Sequence, residues 1–379
     1  MSEPAEAHAV LGQLAPMDVA GRAPRLQERL DGAEVDALLL TDLTNIRYIT
    51  GFTGSAARLL VTASGLTFVT DGRYGEQAAA QLRDAGVAAV IEVSNAEQKD
   101  VLVKAVESAG ARRVGLEAES VTWAAQRAYD ESWFPDAELV PTTGLVAGLR
   151  AVKDQGEIDR ITAASRVADT ALAQVRARLD DRPTEAEFGL ELDTAMRRLG
   201  ADDVSFETIV ASGPNGALPH HRAGPRTIAA GDLVVIDFGA LVDGYHADMT
   251  RTVAVGAPSS TQERMLAVVG EAQAAGVAAV RAGVDAKAVD AACREVIGAA
   301  GWLDAFLHST GHGVGLDIHE DPRLAQTSEA VLAPGHVVTV EPGVYLPEHG
   351  GVRIEDTVVV TDEGCVTITL APKVTTVAA

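Results

Sequence analysis

Two aspartates, Asp237 and Asp248, sit eleven residues apart in the stretch IDFGALVDGYHADMTRT (236–252). Between them lies Asp243-Gly244, and an Asp-Gly pair between two β-forming runs marks a two-residue hairpin turn. That turn sets a register in which paired positions sum to 487, so Gly239 faces Asp248 and Asp237 faces Thr250. Side chains two apart on a strand share a face. Asp237 and Asp248 are then diagonal neighbours on one face, their Cα atoms roughly 7–8 Å apart. Val234, Ile236 and Phe238 supply the opposite, apolar face. Two carboxylates so placed repel unless one is protonated or a cation sits between them.

Three later segments bring matching groups. HSTGHGVGLDIHE (308–320) carries His308, His312 and His319 among three glycines. VVTVEPGVYLP (337–347) ends a β-branched run on Glu341. GGVRIEDTVVV (350–360) puts Arg353 and Glu355 on one face, with Val352 and Ile354 on the other. An acid that closes a core strand needs a partner. Four strand-borne carboxylates and at least one imidazole could hold two divalent cations, and with a bridging hydroxide would nearly neutralise them. A carboxylate-rich set with a single imidazole suits hard or borderline ions. Manganese comes first, with cobalt, zinc or iron as alternatives. The spacing fits no zinc finger, and H-E-x-x-H is absent. His308 and His312 are four apart, as on one helix face, but Gly311, Gly313 and Gly315 favour a loop or strand.

The elements that must carry these groups are legible around them. Ile158, Ile161, Ser165, Ala168, Leu172, Val175 and Leu179 step by three and four, which predicts an amphipathic helix. Thr184 and Glu187 form a capping box for a second helix bearing Phe188, Leu192, Met196 and Leu199. Ala-rich helices are expected around 261–282 and 285–300, the second stopped by Gly301. Strands are expected over 204–211, 233–241, 245–255, 336–341 and 351–361, giving an α+β domain. Ahead of it, VDALLL (35–40), RLLVTA (58–63), LTFVT (66–70) and AAVIEV (88–93) read as strands. The stretches 73–86 and 96–110 read as helices, each ending at glycine. That is an α/β domain without G-x-G-x-x-G or a phosphate loop, so it has no nucleotide signature. The boundaries expected are a flexible Ala-rich lead over 1–20, an α/β domain over 21–148 and the α+β domain over 149–379, joined near PTTGLVAGLRAVKDQGEIDRI (141–161). No repeat of fixed period is evident.

Bulk properties narrow the function classes. The chain has 379 residues, too many for one ordinary core, and 47% of them are hydrophobic. A net charge of −23 argues against nucleic-acid and anionic-membrane partners. With two cysteines, Cys293 and Cys365, no disulfide framework is expected, and a reducing cytoplasm is the natural setting. Residues 1–20 lack the basic start and apolar core of a secretory signal, and no window is long and apolar enough to span a membrane.

The ordered motifs resemble the pita-bread metallopeptidases: aminopeptidase P, prolidase, methionine aminopeptidase and the related non-peptidase creatinase. IDFGALVDGYHADMTRT, HSTGHGVGLDIHE, VEPGVYLP and GGVRIEDT carry the resemblance, with SGPNGALPHHR (212–222) and LRAVKDQGEI beside them. In the first domain, YITGFTGS and VTDGRYGEQA resemble bacterial Xaa-Pro peptidases. The resemblance implies five dimetal ligands: Asp237, Asp248, His312, Glu341 and Glu355. Asp248 and Glu355 would bridge the ions, Asp237 would bind one, and His312 with Glu341 the other. It further implies that Glu341 shuttles a proton from the attacking water to the leaving nitrogen. His220 and His319 would steady the carbonyl or its oxyanion and the substrate backbone. His308 would help to line the pocket, and Arg353 and Tyr345 would orient Glu341 or the bridging acids.

The expected function is hydrolysis of Xaa-Pro peptide bonds by a cytoplasmic metallo-exopeptidase acting on proline-containing peptides, as a homodimer. Aminopeptidase P-type release of the N-terminal residue from longer peptides comes first, and a prolidase limited to dipeptides second. The other class considered is an inactive binding protein on the same fold, which the filled ligand positions disfavour. Among the remaining histidines, His221 and His246 read as structural, while His336 and His349 read as solvated turn residues. Neither cysteine reads as a nucleophile.

Overall fold

The computed structural model describes residues 11–12 and 14–378. Of the expected lead, residues 1–10 and 13 therefore lie outside the described residues. Leu11 and Leu14 of that lead pack against the core of the larger unit. Ala15 accepts a hydrogen bond from Arg160 through its carbonyl at 2.8 Å. The chain divides into two compact units, Asp18–Arg150 and a larger one from Ala151 onward that also includes residues 14–17.

The first unit is built on a six-stranded sheet. Its strands are β1 (Ala37–Leu40), β2 (Ala57–Thr62), β3 (Gly65–Thr70), β4 (Val90–Val93), β5 (Arg113–Glu117) and β6 (Glu138–Thr142). Their spatial order is β4-β3-β2-β1-β5-β6. The β1–β2–β3 meander is antiparallel, and the remaining pairings are parallel. All four strands read from the sequence form. The two that were not read, β5 and β6, carry Gly115 and Pro141, which weaken a strand signal. Helices Gly75–Asp84 and Gln98–Ser108 stop ahead of Gly86 and Gly110, whose φ values of +69° and +65° only glycine adopts cheaply.

The larger unit packs two helix pairs against mixed strands around two cores. Helices Gln155–Val175 and Glu185–Arg198 bury Ala168, Leu172, Phe188 and Met196 with Val234, Ile236 and Phe238. Helices Ser260–Ala279 and Ala286–Ala299 bury Met265, Val269, Val289 and Ile297 with Val338, Val340, Val352 and Ile354. The Thr184–Glu187 capping box is present as read.

In this unit the strands are β7 (Asp203–Val204), β8 (Ile209–Ser212), β9 (Leu233–Phe238), β10 (Ala240–Val242), β11 (Tyr245–His246), β12 (Met249–Val255), β13 (Gly311–Gly313), β14 (Glu320–Leu324), β15 (Val337–Val340), β16 (Gly343–Leu346), β17 (Gly350–Arg353), β18 (Asp356–Val360), β19 (Cys365–Thr367) and β20 (Val374–Val377). One sheet runs β20-β12-β9-β8 and another β14-β13-β15-β18-β19, with smaller sheets β11-β10-β7 and β16-β17.

The hairpin register holds. Asp237 pairs with Thr250 and Leu241 with His246, and the turn residues Asp243 and Gly244 have φ of +46° and +73°, as such a turn requires. Four runs read as continuous strands are interrupted, however, the run over 233–241 among them, which breaks at Gly239 into β9 and β10. The run over 204–211 breaks into β7 and β8, that over 245–255 breaks at Ala247-Asp248, and that over 351–361 breaks at Ile354-Glu355. At the last break the chain leaves one sheet for another. The Glu355 N–H then bonds the Thr250 carbonyl at 3.1 Å in place of a ladder partner. His336, expected on a solvated turn, is instead buried, its Nδ1 accepting the Ala333 N–H at 3.2 Å.

Candidate metal centre

The interruptions and ends of these strands converge on one place. Asp237 projects from β9, Asp248 precedes β12, His312 lies in β13, Glu341 follows β15 and Glu355 sits between β17 and β18. All five line a single cavity of about 550 Å³, within the range of small-molecule sites. Asp248, His312 and Glu355 each offer a ligand atom within 4.8 Å of the other two, and all three are buried.

His312 is oriented by its own backbone. Its Nδ1 is 3.0 Å from the Gly313 carbonyl; a carbonyl only accepts, so Nδ1 carries the proton and Nε2 keeps its lone pair. That Nε2 faces Asp248 Oδ2 at 3.5 Å and Glu341 Oε1 at 3.4 Å. Glycine is required on both sides. A Cβ on Gly311 would lie 2.0 Å from the Thr339 carbonyl, and one on Gly313 2.3 Å from that of Asp321. The segment leading in is held from the helix Ala286–Ala299. Asp290 accepts the Thr310 N–H at 3.1 Å, and Arg294 donates to the His308 carbonyl at 2.6 Å.

Three of the four acids are each held by a donor on one oxygen. Thr250 Oγ1 donates to Glu355 Oε2 at 2.6 Å, and Thr339 Oγ1 to Glu341 Oε1 at 3.3 Å. Arg353 Nη2 donates to Asp237 Oδ2. Asp237 Oδ1 and Glu355 Oε1 are buried with no hydrogen-bond partner. Burial pushes Asp248 and Glu355 well above the ordinary carboxylate range, and the neighbouring acids push them further. Burial raises Glu341 to about 8, against the pull of Arg353. Burial holds His312 neutral, with its pKa lowered to about 4. Bare acceptor oxygens, crowded negative charge and an available imidazole lone pair fit a divalent cation site.

Around this set, Arg353 is a fully enclosed hub. Its Nε donates to Thr250 Oγ1 at 3.0 Å and its Nη1 to Tyr345 Oη at 3.0 Å. Tyr345 in turn lies 2.8 Å from His308 Nε2, while His308 Nδ1 is 2.8 Å from the Ser309 carbonyl. His308 therefore accepts from Tyr345 through Nε2. Arg353 thus reaches Asp237 directly and Glu355 through Thr250; no bond from it to Glu341 is present among the described residues. His308 lines the cavity, whereas Tyr345 is buried behind it. His220 and His319 both line the cavity and are exposed. The His319 ring packs edge-on against that of His312, with centroids 4.4 Å apart.

Sequence reasoning missed several members. Phe206, Ile209 and Ile318 give the cavity apolar wall, and Arg222 and Arg323 stand exposed at its edge. Thr250 and Thr339 were within reach, since each belongs to the same strand-face alternation as an expected ligand. Arg323 lies eleven residues past His312 beyond a turn, where no periodicity points to it. His221, read as structural, donates from Nε2 to Glu185 Oε2 at 2.8 Å, and His246 bonds Ser205 Oγ at 2.8 Å away from the cavity.

Residues 159–362 match the model of metallopeptidase family M24, and residues 22–152 match the creatinase/prolidase N-terminal domain. The uncharacterized peptidase YqhT of Bacillus subtilis (strain 168) is 44% identical over 339 residues, 89% of this chain and 95% of its own length. A solved Xaa-Pro dipeptidase from Bacillus anthracis superposes with a TM-score of 0.91 at 41% identity, covering 95% of this chain and all of that one. An X-Pro aminopeptidase structure from Thermotoga maritima MSB8 gives a TM-score of 0.85 at 35% identity, covering 94% of this chain and all of that one. The architecture is accordingly an α/β creatinase-type domain followed by an α+β catalytic domain of the pita-bread type. The chain is a metallo-exopeptidase and belongs to metallopeptidase family M24.

Proposed function

We propose that this protein hydrolyses Xaa-Pro peptide bonds, releasing the residue ahead of proline, with two divalent cations held by Asp237, Asp248, His312, Glu341 and Glu355. The observation that carries the reading is the set of buried acid oxygens without donors, Asp237 Oδ1 and Glu355 Oε1, beside the free Nε2 of His312. When bound, the ions supply Lewis acidity and lower the pKa of the nucleophilic water. Manganese is the first candidate, because hard carboxylates outnumber the single imidazole. The apolar wall of Phe206, Ile209, Pro219 and Ile318 suits a proline ring.

In this reading Glu341 accepts the proton of the attacking water and returns it to the proline nitrogen as the C–N bond breaks. His220 and His319, on the cavity wall, hold the scissile carbonyl as it becomes an oxyanion. Arg353 holds Asp237 and, through Thr250, Glu355, while Tyr345 fixes His308. The ligand positions are filled and backed by donors, which supports catalysis over a scaffold role.

Aminopeptidase P-type action is the first reading for substrate length. Arg222, His220, His319 and Arg323 are exposed, so within this chain the rim leaves room for a longer leaving peptide. Dipeptide-only action is favoured by one observation: Arg323 stands at the cavity edge, where its guanidinium suits the free carboxylate of a dipeptide. The test is hydrolysis of Ala-Pro and Ala-Pro-Ala by metal-free protein reloaded with manganese. Cleavage of the tripeptide supports aminopeptidase action, cleavage of the dipeptide alone supports prolidase action, and cleavage of neither overturns the proposal. We further propose a homodimer in a reducing cytoplasm, the latter because Cys293 and Cys365 are both free. Light scattering of the purified protein tests the dimer.

A further inference from the structure

Glu185 is the first residue of the helix Glu185–Arg198 and has no solvent exposure, yet it lies outside the metal centre. Its carboxylate collects donors from one stretch of chain. Oε1 accepts the Ser212 N–H at 2.8 Å, the Ser212 hydroxyl at 2.7 Å and Asn215 Nδ2 at 3.0 Å. Oε2 takes Asn215 Nδ2 at 3.1 Å, the Gly224 N–H at 3.3 Å and His221 Nε2 at 2.8 Å. A carboxylate has about four lone-pair sites, and here donors from a single segment, 212–224, occupy them. That segment carries His220.

The other side of the segment is clamped as well. The Pro219 carbonyl, adjoining His220, accepts from Arg353 Nη1 at 3.3 Å. The backbone of 213–216 presses on β17, where a Cβ on Gly351 would lie 1.9 Å from the Gly216 carbonyl. An exposed histidine on an ordinary surface turn needs no such restraint. Here it sits between a buried acid on one side and the arginine that grips Asp237 on the other.

We propose that Glu185, acting through the segment Ser212–Gly224 and its bond to His221, is the positioning residue for His220 in the hydrolytic reaction. The inference rests on the role given to His220 above. Glu185 touches neither substrate nor ion; it fixes where the His220 ring meets the scissile carbonyl. Losing such a restraint costs turnover with little change in metal affinity, because no proposed ligand lies on this segment.

The experiment compares wild type, Glu185→Gln, His220→Ala and the double variant, each reloaded with manganese and assayed for metal content and for kcat and KM on proline-containing peptides. Gln keeps the size of Glu but offers an amide N–H₂ where a donor now enters. The expected result is a loss in kcat of about 10- to 100-fold in Glu185→Gln, unchanged metal content, and a double variant no slower than His220→Ala. Wild-type kcat in Glu185→Gln, or a second full loss in the double variant, overturns the inference. If His220→Ala itself turns over like wild type, the role of His220 is wrong, and Glu185 is judged on the ring alone. In ¹⁵N-histidine-labelled protein, displaced His220 resonances in Glu185→Gln then support positioning, and unchanged ones overturn it. Should Glu185→Gln fail to fold, Asn215→Ala removes two of the bonds with Glu185 intact and is read by the same outcomes.

Discussion

His312 presents its Nε2 to Asp248 Oδ2 at 3.5 Å, with no hydrogen of its own between them, because Nδ1 holds the proton against the Gly313 carbonyl. With Asp248 ionised, two acceptors face each other inside a buried cavity, which costs free energy until a proton or a cation lies between them. Replacing Asp248 by Asn, or Glu355 by Gln, therefore has opposite effects on the two forms of the protein. At a pH high enough to ionise the acid, the metal-free form gains stability, because a repelling buried carboxylate is gone. The metal-loaded form loses it, and turnover falls by about 10³-fold or more as several kcal/mol of transition-state stabilisation disappear. Melting curves with and without chelator, alongside metal analysis, check both signs. A variant that retains metal and turnover would sink the ligand assignment.

The pH dependence of the metal-free protein follows from the same crowding. Glu341 is raised from 4.5 to about 8, and Asp248 and Glu355 are raised in the same direction. A carboxyl group whose pKa is raised by folding favours the folded state while protonated. That contribution is full below about pH 4.5 and fades as pH rises towards 8. His312, at about 4, stays neutral throughout this window. Manganese should thus raise the melting temperature more at pH 8 than at pH 6. A metal-induced shift that is constant or larger at pH 6 would show that these acids are not held protonated in the empty site.

The hairpin shows how far the sequence could carry the reading. Asp243-Gly244 is a local signal with one dominant solution, so the register of Asp237 against Thr250 was readable to the residue. The helices at 155–175 and 185–198 were legible for a similar reason: period and capping chemistry are written within a dozen residues. The breaks at Asp248 and Glu355 were not. At Glu355 the run of β-branched residues continues while the chain changes sheets, and the cause lies in Thr250 and Arg251, about a hundred positions away. Arg353 was expected to orient the acids, but its partners, Thr250, Tyr345, Pro219 and Asp237, come from four separate segments. Glu185 stood in view as part of a helix start and gave no sign that it gathers the His220 segment. Chemistry borne by tertiary contacts leaves no local periodicity.

Arg353 itself supports a sharper prediction. It is the fork that satisfies Asp237, Thr250 and Tyr345 together, so the charge alone is insufficient. Arg353→Lys keeps the cation but supplies one point of contact where three donor atoms now act. Its turnover should fall by about 10- to 100-fold, the range for lost outer-shell partners of a metal site. Arg353→Met leaves Asp237 buried without its cation, and metal-free protein should lose about 3–5 kcal/mol. Urea unfolding in the presence of chelator gives the second quantity. Equal activity in the Arg353→Lys variant and the wild-type enzyme would mean that the fork geometry does not matter.

Acid sensitivity should arise partly from a histidine that has no role in the site. His336 is buried, and its pKa is lowered to about 4 by that burial and by Lys153 nearby. A histidine with a depressed pKa in the fold stabilises it above the unfolded value, about 6.5, and loses that contribution as pH falls towards 4. His308 and His312 act in the same window, but metal occupancy complicates them. His336 is separable, because its Nδ1 accepts the Ala333 N–H and Asn can place an acceptor oxygen at the same point without titrating. His336→Asn should therefore move the acid-unfolding midpoint to lower pH while leaving turnover and metal content unchanged at about pH 7.5, above both the folded and the unfolded histidine values. Circular dichroism along an acid titration, with the metal-loaded protein, measures the shift. An unchanged midpoint would place the acid sensitivity with other groups.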